Sequence, residues 1–256
     1  MLEAVLVALG VSIGVNVLMF IPAFIYKTDK LTDLSYSLTF IILATILFLF
    51  NTYSLSKLIL YFMVAAWGAR LGTYLFIRIR KMKKDPRFDD KRGDFFKFLK
   101  FWLVQGLTVW LVMMSSTVFF NLSNTSFNYL SLIGLIVWGA GLTIESVADY
   151  QKYQFKTNPK NKGKWIESGL WHYSRHPNYF GEIMNWVGIY LFTLSSFNLL
   201  NALVALASPG YITITLLFIS GIPPLEKHSD KKYGKYKGYR DYKKRTSVLI
   251  PWFTKK

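Results

Sequence analysis

An all-α, polytopic membrane protein of about seven helices is the fold class that three features of this 256-residue chain predict. The first is composition: 52% hydrophobic and 18% aromatic residues, with only 18% charged, too few charges for an ordinary soluble domain. The second is that the apolar residues come in blocks long enough to cross a bilayer, about 20 residues each. The third is that the cations gather in alternate loops. Lysine and arginine number 31 against 14 acidic residues, a net charge of +17. Because that excess sits between apolar blocks, it fits a positive-inside bias and attraction to anionic lipid and phosphorylated ligands, not a nucleic-acid partner. The absence of cysteine excludes disulfides, thiolate nucleophiles and Cys metal sites. Three scattered histidines without an HExxH pattern do not make a zinc site, and there is no P-loop or GxGxxG.

The blocks read as spans in order. Leu2 to Tyr26 is the first; it has no basic leader and is too long for a signal-peptide core, so it is expected to be retained. Gly10 and Gly14 in it are spaced for close helix packing, and Pro22 is placed to kink it. After a polar turn from Lys27 to Asp33, Leu34 to Phe50 is the second span. Lys57 to Ile79 is the third, with Arg70 inside it. An arginine there is either paired or facing water, or the span ends early and the side chain snorkels. Arg78 to Lys100 is a charged, solvated loop containing the turn Asp85-Pro86-Arg87-Phe88. Phe101 to Phe120 is the fourth span and Phe127 to Ala148 the fifth. Near the end of the fifth, Glu145 and Asp149 lie four residues apart, on one helix face, where they are available to pair with Arg175 or to hold a ribose hydroxyl. Tyr150 to Ser168 is a basic loop. The sixth span runs from about Tyr179 to Ser196, and the seventh from Leu199 to Ile222, interrupted by Pro209-Gly210. Residues 1–256 form one membrane domain, with a cofactor-binding half from about 127 to 256.

The loops after the first, third and fifth spans, and the tail, hold nearly all the lysine and arginine; those after the second, fourth and sixth hold only Lys57. That alternation predicts seven spans, an external N-terminus and a cytoplasmic C-terminus. It also gathers the Arg78–Lys100 loop, the Tyr150–Asn178 loop and the tail on one side.

The chemistry concentrates in Gly169-Leu-Trp-His-Tyr-Ser-Arg-His-Pro-Asn-Tyr-Phe-Gly-Glu182. Proline suits the first turn of a helix, where its missing N–H would be unpaired anyway. Ser174–Asn178 is therefore the cap of a helix that enters the membrane. Free N–H groups there, beside Arg175 and His176, suit a phosphate or carboxylate.

This motif resembles the signature of the steroid 5-alpha-reductase-like membrane proteins, and more closely a bacterial branch of that superfamily. The resemblance extends through Arg70-Leu71, Asp85-Pro86-Arg87-Phe88, Gln105-Gly106, Glu145 with Ala148-Asp149-Tyr150-Gln151-Lys152, and the tail. The superfamily contains NADPH-dependent sterol reductases and S-adenosylmethionine-dependent methyltransferases of the isoprenylcysteine carboxyl type. Asn178 after the proline, Glu182 after Gly181 and Asp149 favour the reductases, in which residues in matching places bind NADPH. The resemblance implies a cofactor site of Glu145, Asp149, Arg175, His176, Asn178 and Glu182, with Tyr233 and Tyr239 from the tail. The chain departs from the steroid reductases in its second span, which has neither Gln nor Glu; Asp33 and Tyr36 at the entrance fit the bacterial branch instead.

The function expected is NADPH-dependent reduction of a carbon–carbon double bond in a lipid or steroid-like enone. Phosphates would lie on Arg175, His176 and basic tail residues. Tyr36 or Tyr179 would protonate the enolate, with Asp33 as partner, since a phenol stays protonated at neutral pH. The alternative is methyl transfer from S-adenosylmethionine. Either reading expects a lipophilic substrate, contact with membrane lipid, no nucleic acid and no metal. The bacterial likeness points to the inner membrane, and a eukaryotic source would point to the endoplasmic reticulum. Nothing in the pattern fixes an oligomeric state.

Overall fold

The computed structural model describes residues 1–82 and 88–254; Asp85, Pro86 and Arg87 of the expected turn lie outside the described residues. Among the described residues the secondary structure is helical, with one isolated bridge between Ser174 and Ser247. Six helical stretches are long and apolar enough to cross a membrane: Leu2–Ile25, Lys30–Leu49, Leu55–Ile79, Phe95–Val112, Tyr129–Thr157 and Leu199–Tyr233. They mark the chain as an integral membrane protein. Pro177–Leu194, expected as a further span, is a helix of 18 residues but is not among the six. Asn178, Glu182 and Asn185 make its first half polar.

The helices are α1 (Leu2–Ile25), α2 (Lys30–Leu49), α3 (Leu55–Met82), α4 (Phe95–Val112), α5 (Met114–Phe120), α6 (Tyr129–Thr157), α7 (Leu170–Tyr173), α8 (Pro177–Leu194), α9 (Leu199–Ala205), α10 (Ala207–Ile214), α11 (Ile222–Tyr233) and α12 (Lys237–Arg245). Several boundaries differ from those expected. The second helix starts at Lys30, so Asp33 lies in its first turn. The third continues to Met82, which places Arg70 well inside a helix. The fourth apolar block is two helices meeting at Met113. The fifth continues to Thr157, taking up the first part of the expected basic loop.

The last apolar block breaks one residue after Ala205, not at Pro209-Gly210. Pro209 sits in the first turn of α10, which proline tolerates. It has no N–H to give the carbonyl four residues back, that of Ala205. The Ser115 hydroxyl takes that carbonyl instead, at 2.8 Å. Likewise the Ser208 hydroxyl donates to the Val112 carbonyl at 2.6 Å, where α4 ends. Each break thus has its freed backbone group satisfied by a hydroxyl. A five-residue π-turn, Thr215–Ile219, leads into α11.

The described chain falls into two compact units. The first contains Met1–Ile133 and Ile189–Ser208, the second Gly134–Gly188 and the chain from Pro209 on. In the first, Phe20, Ala23, Phe88, Phe98 and Trp102 form an apolar cluster. Beside it, Gln105 donates through Nε2 to Asn16 Oδ1 at 2.8 Å, the Ser35 hydroxyl at 2.9 Å and the Thr32 carbonyl at 3.1 Å. This buried polar network ties α1, α2 and α4 together, and Gly106 lets α4 approach the Ser12 and Ile13 backbone. Gly10 and Gly14 do not act as expected: a side chain at either would meet open space. Pro22 leaves α1 a single helix to Ile25.

Two arginines of the expected solvated loop are ion-paired: Arg78 with Asp33 at 2.9 Å, and Arg92 with buried Asp29 at 2.9 Å and Asp89 at 2.8 Å.

Candidate functional site

The second unit carries the motif, and its geometry begins at Gly169. The backbone there has φ +62°, and a side chain would collide with Gln151, whose Oε1 accepts from the Leu170 N–H at 3.0 Å. Glycine makes this turn possible. It starts α7, from which Trp171 donates to the Ala148 carbonyl at 3.0 Å. The chain then pairs briefly with the tail: the Arg175 N–H donates to Ser247 O at 2.8 Å, and the Ser174 hydroxyl to Leu249 O at 2.6 Å. Ser174 Oγ also accepts from the His176 N–H at 3.1 Å, and α8 starts at Pro177, as the expected cap requires.

At the centre lies Glu226, which the sequence reading did not single out. Its Oε1 accepts from Arg175 Nε at 3.1 Å and lies 2.9 Å from His176 Nε2; its Oε2 lies 2.7 Å from Lys243 Nζ. Arg175 also donates through Nη1 to the carbonyls of Lys243 at 2.7 Å and Thr246 at 3.0 Å. Thus the carboxylate that meets Arg175 comes from α11, not from Glu145 or Asp149. His176 is 5% exposed and stacks on Tyr179, ring centroids 5.7 Å apart and 7° from parallel. Its Nδ1 is buried and has no hydrogen-bond partner among the described residues.

Burial lowers the His176 pKa, and Glu226 opposes that while Lys152 and Arg175 add to it. Burial acts to lower the Lys243 pKa too, but its bonds to Asp230 and Glu226 outweigh this and raise it. The Tyr242 phenol is raised by burial, and the Tyr239 phenol by burial together with Asp230. Both therefore keep their protons, Tyr242 donating to the Trp171 carbonyl at 2.9 Å and Tyr239 to Asp230 at 3.1 Å.

Around this cluster opens a cleft of about 440 Å³. Six cationic side chains line it: Lys152, Lys156, Lys162, Lys164, Lys232 and Arg175; Glu226 is the one acid among the described lining residues. Its aromatic wall is Trp165, packed edge-on against Tyr233 at 5.9 Å and Tyr239 at 5.5 Å. Of the expected cofactor residues, Arg175, His176, Tyr233 and Tyr239 line this cleft.

The other four lie between α6 and α8, where Asn178 donates to Asp149 at 3.3 Å and Asn185 to Glu145 at 2.8 Å. Glu145 and Asp149 are 2% and 5% exposed; Glu182 is half-buried one turn after Asn178. Of the expected catalytic residues, Tyr179 is the His176 stacking partner. Asp33 and Tyr36 belong to the first unit, where Asp33 pairs with Arg78 and Tyr36 packs edge-on against Phe40 at 5.1 Å. Glu226 carried one legible signal: it follows Pro223-Pro224, so it opens a polar helix after an apolar one.

A membrane-spanning helical protein with a cation-lined, aromatic-walled cleft is the class that this fold and site define. The chain belongs to the family described as "Protein of unknown function (DUF1295)", which matches residues 19–246. It is also similar to the "Probable O-methyltransferase ustE" of Ustilaginoidea virens, with 31% identity over 107 residues, or 39% of this chain and 32% of that protein. The chain therefore spans under a third of that relative's length. No solved structure matches.

Proposed function

We propose that the chain is a membrane-embedded reductase that uses NADPH to saturate a carbon–carbon double bond in a lipid or steroid-like enone. The observation that carries this reading is the charge of the cleft. Six cationic side chains against one engaged carboxylate suit a ligand with several phosphates. NADPH has a diphosphate and a 2′-phosphate; S-adenosylmethionine has one carboxylate against an ammonium and a sulfonium, and gains little from such a rim. The aromatic wall suits a nucleobase, because every base offers a face for stacking.

When bound, the cofactor supplies a hydride to the alkene carbon; a proton then completes the saturated product. Lys152, Lys156, Lys162, Lys164 and Lys232 would bind phosphates as mobile cations. Arg175 would act as a fixed one, since Glu226 and two carbonyls hold its guanidinium. Asp149, Asn178 and Glu182 would orient ribose and amide groups, with Glu145 behind them on Asn185. Tyr179 would be the proton donor from the second unit, and Tyr36 with Asp33 the candidates from the first.

Seven spans with a cytoplasmic C-terminus belong to the same reading. The Ser126 N–H donates to the Ser196 hydroxyl at 3.0 Å. If α6 crosses after Ser126, α8 must cross back to bring Ser196 beside it. A cytoplasmic face then gives the cleft access to soluble NADPH, in a bacterial inner membrane or an endoplasmic reticulum.

Methyl transfer from S-adenosylmethionine is the second reading, and the likeness to the probable O-methyltransferase favours it. Purified protein in detergent would be titrated with NADPH, NADH and S-adenosylmethionine by thermal shift, since a ligand that binds only the folded state raises apparent stability. The expected result is a shift with NADPH that Lys156→Glu and Lys232→Glu each reduce, and that Asn178→Ala weakens. A shift with S-adenosylmethionine alone replaces the reductase by the methyltransferase.

A further inference from the structure

We propose that the C-terminal segment from Val248 to Phe253 is an interfacial anchor, whose apolar side chains insert at the headgroup boundary of an anionic lipid leaflet. The inference goes beyond the cofactor reading and holds whichever ligand the cleft takes.

The apolar side chains of this segment lie open. Val248 and Ile250 are 44% and 57% exposed, Trp252 68% and Phe253 81%. The rings of Trp252 and Phe253 lie 6.3 Å apart. An exposed apolar patch marks a contact with a partner or a membrane. The backbone, by contrast, is fixed. The carbonyls of Ser247 and Leu249 accept from the Arg175 N–H at 2.8 Å and the Ser174 hydroxyl at 2.6 Å, and the Trp252 N–H donates to the Tyr173 carbonyl at 3.2 Å. The motif thus holds the chain in place while the side chains stay uncovered.

The level of the segment follows from α6. The apolar residues of that helix end at Ala148, and from Asp149 to Thr157 it is polar and charged. The edge of the hydrocarbon therefore falls near Ala148. Trp171 donates to the Ala148 carbonyl at 3.0 Å. Tyr173, two residues on, is itself exposed and holds Trp252. Trp252 is thereby kept close to the level where indole rings gather in membranes, with an apolar body toward the acyl chains and a polar edge toward the headgroups.

Charge decides between lipid and a second copy of the chain. The helix just before the segment, α12, exposes Lys237, Arg240 and Lys244, with Asp241 as its one acid. A second copy docked through the same segment would bring two such helices together, in a chain of net charge +17. An anionic leaflet attracts the same cations. Anchoring also bears on the site. Arg175 is held by the carbonyls of Lys243, Thr246 and Ser247, so an anchored tail seats the cation-lined cleft at the membrane surface.

The test uses the full chain in vesicles. With no natural cysteine, Ile250→Cys, Trp252→Cys and Lys235→Cys can each carry one polarity-sensitive fluorophore. All three side chains are exposed, and a thermal melt checks that each variant folds. The vesicles are phosphatidylcholine, alone or mixed with phosphatidylglycerol. A lipid with a nitroxide high on its acyl chain quenches from the bilayer, and acrylamide quenches from water. In anionic vesicles the probes at 250 and 252 should emit further to the blue than the probe at 235, be quenched severalfold more by the nitroxide lipid, and be shielded from acrylamide. Neutral vesicles should weaken all three effects. A second measurement needs no variant: backbone amides of residues 248–254 in the unmodified chain should exchange hydrogen more slowly in anionic than in neutral vesicles. Probes at 250 and 252 that acrylamide reaches and the nitroxide lipid does not overturn the inference. So does shielding from both quenchers together with disulfide pairing of unlabelled Trp252→Cys between copies, which gives the segment to a second copy. Equal insertion into neutral and anionic vesicles overturns the role given to the α12 cations.

Discussion

His176 shows what a sequence conveys about one residue and what it leaves out. The Arg-His-Pro run marks it as part of a site, and the structure places it in the cleft. Its ring is held by Glu226, fifty positions further on, and no local pattern announces that pairing. The consequence is testable through pH. Burial, aided by Lys152 and Arg175 and opposed by Glu226, holds the folded-state pKa below the ordinary value of about 6.5. The unfolded chain therefore takes up a proton as pH falls past that value, while the folded protein does not. Stability from this group is complete above the unfolded pKa and is lost as pH falls through the folded one, at up to about 1.4 kcal/mol per pH unit. Melting temperature measured from pH 7.5 down to 5.5 should drop, and His176→Asn should flatten the drop. Equal slopes in both proteins would show that the histidine titrates freely.

At the scale of elements, the packing of α6 on α8 was legible as composition but not as contact. Glycines were visible throughout the apolar blocks, and in the first span Gly10 and Gly14 had the spacing for close packing. Gly10 and Gly14 there face open space. The close approach is instead at Gly181, where a Cβ would lie 2.6 Å from the Glu145 amide nitrogen and 2.7 Å from the Gly141 carbonyl. Spacing alone could not choose between them, because it gives a helix face without naming what that face meets. The approach serves the site directly, since it allows Asn178 to reach Asp149 and Asn185 to reach Glu145 on either side of Gly181. Both clashing atoms are backbone and cannot swing aside. Gly181→Ala should therefore cost about 1–3 kcal/mol, as overpacking does, and weaken cofactor binding as the two asparagine bonds stretch. Gly139→Ala, in the same α6 but with nothing within 4 Å, should cost nothing. Thermal melts of the two variants side by side give the comparison, and equal losses would mean that the helices do not meet at Gly181.

For the whole molecule, the alternation of loop charge was legible from the sequence, and the first unit adds a reason for it. The uncharged turns are bonded to one another: Ser54 to Thr125 at 2.7 Å, and Ser126 to Ser196 at 3.0 Å. Their one lysine, Lys57, is 1% exposed and donates at 2.7–2.9 Å to the carbonyls of Thr52 and Leu122 and to the Thr52 hydroxyl. It closes the turns from inside and presents no charge to water, so this side carries none of the cation excess that holds a loop in the cytoplasm. The sequence reading makes α8 a span, and the polar first half of that helix keeps it out of the six long apolar stretches. The natural absence of cysteine makes the arrangement open to direct measurement. Single variants Asn124→Cys, Asn198→Cys and Lys235→Cys would be exposed, in intact cells, to a thiol reagent that cannot cross the membrane. With α8 spanning and the positive side inside, Asn124→Cys and Asn198→Cys are labelled from outside, and Lys235→Cys only after the cells are opened. Should Asn198→Cys be protected while Asn124→Cys reacts, α8 does not cross, and six spans hold the cleft. Should Lys235→Cys react from outside, the cleft faces away from the cytoplasmic pool of NADPH, and the reductase reading loses its supply of hydride.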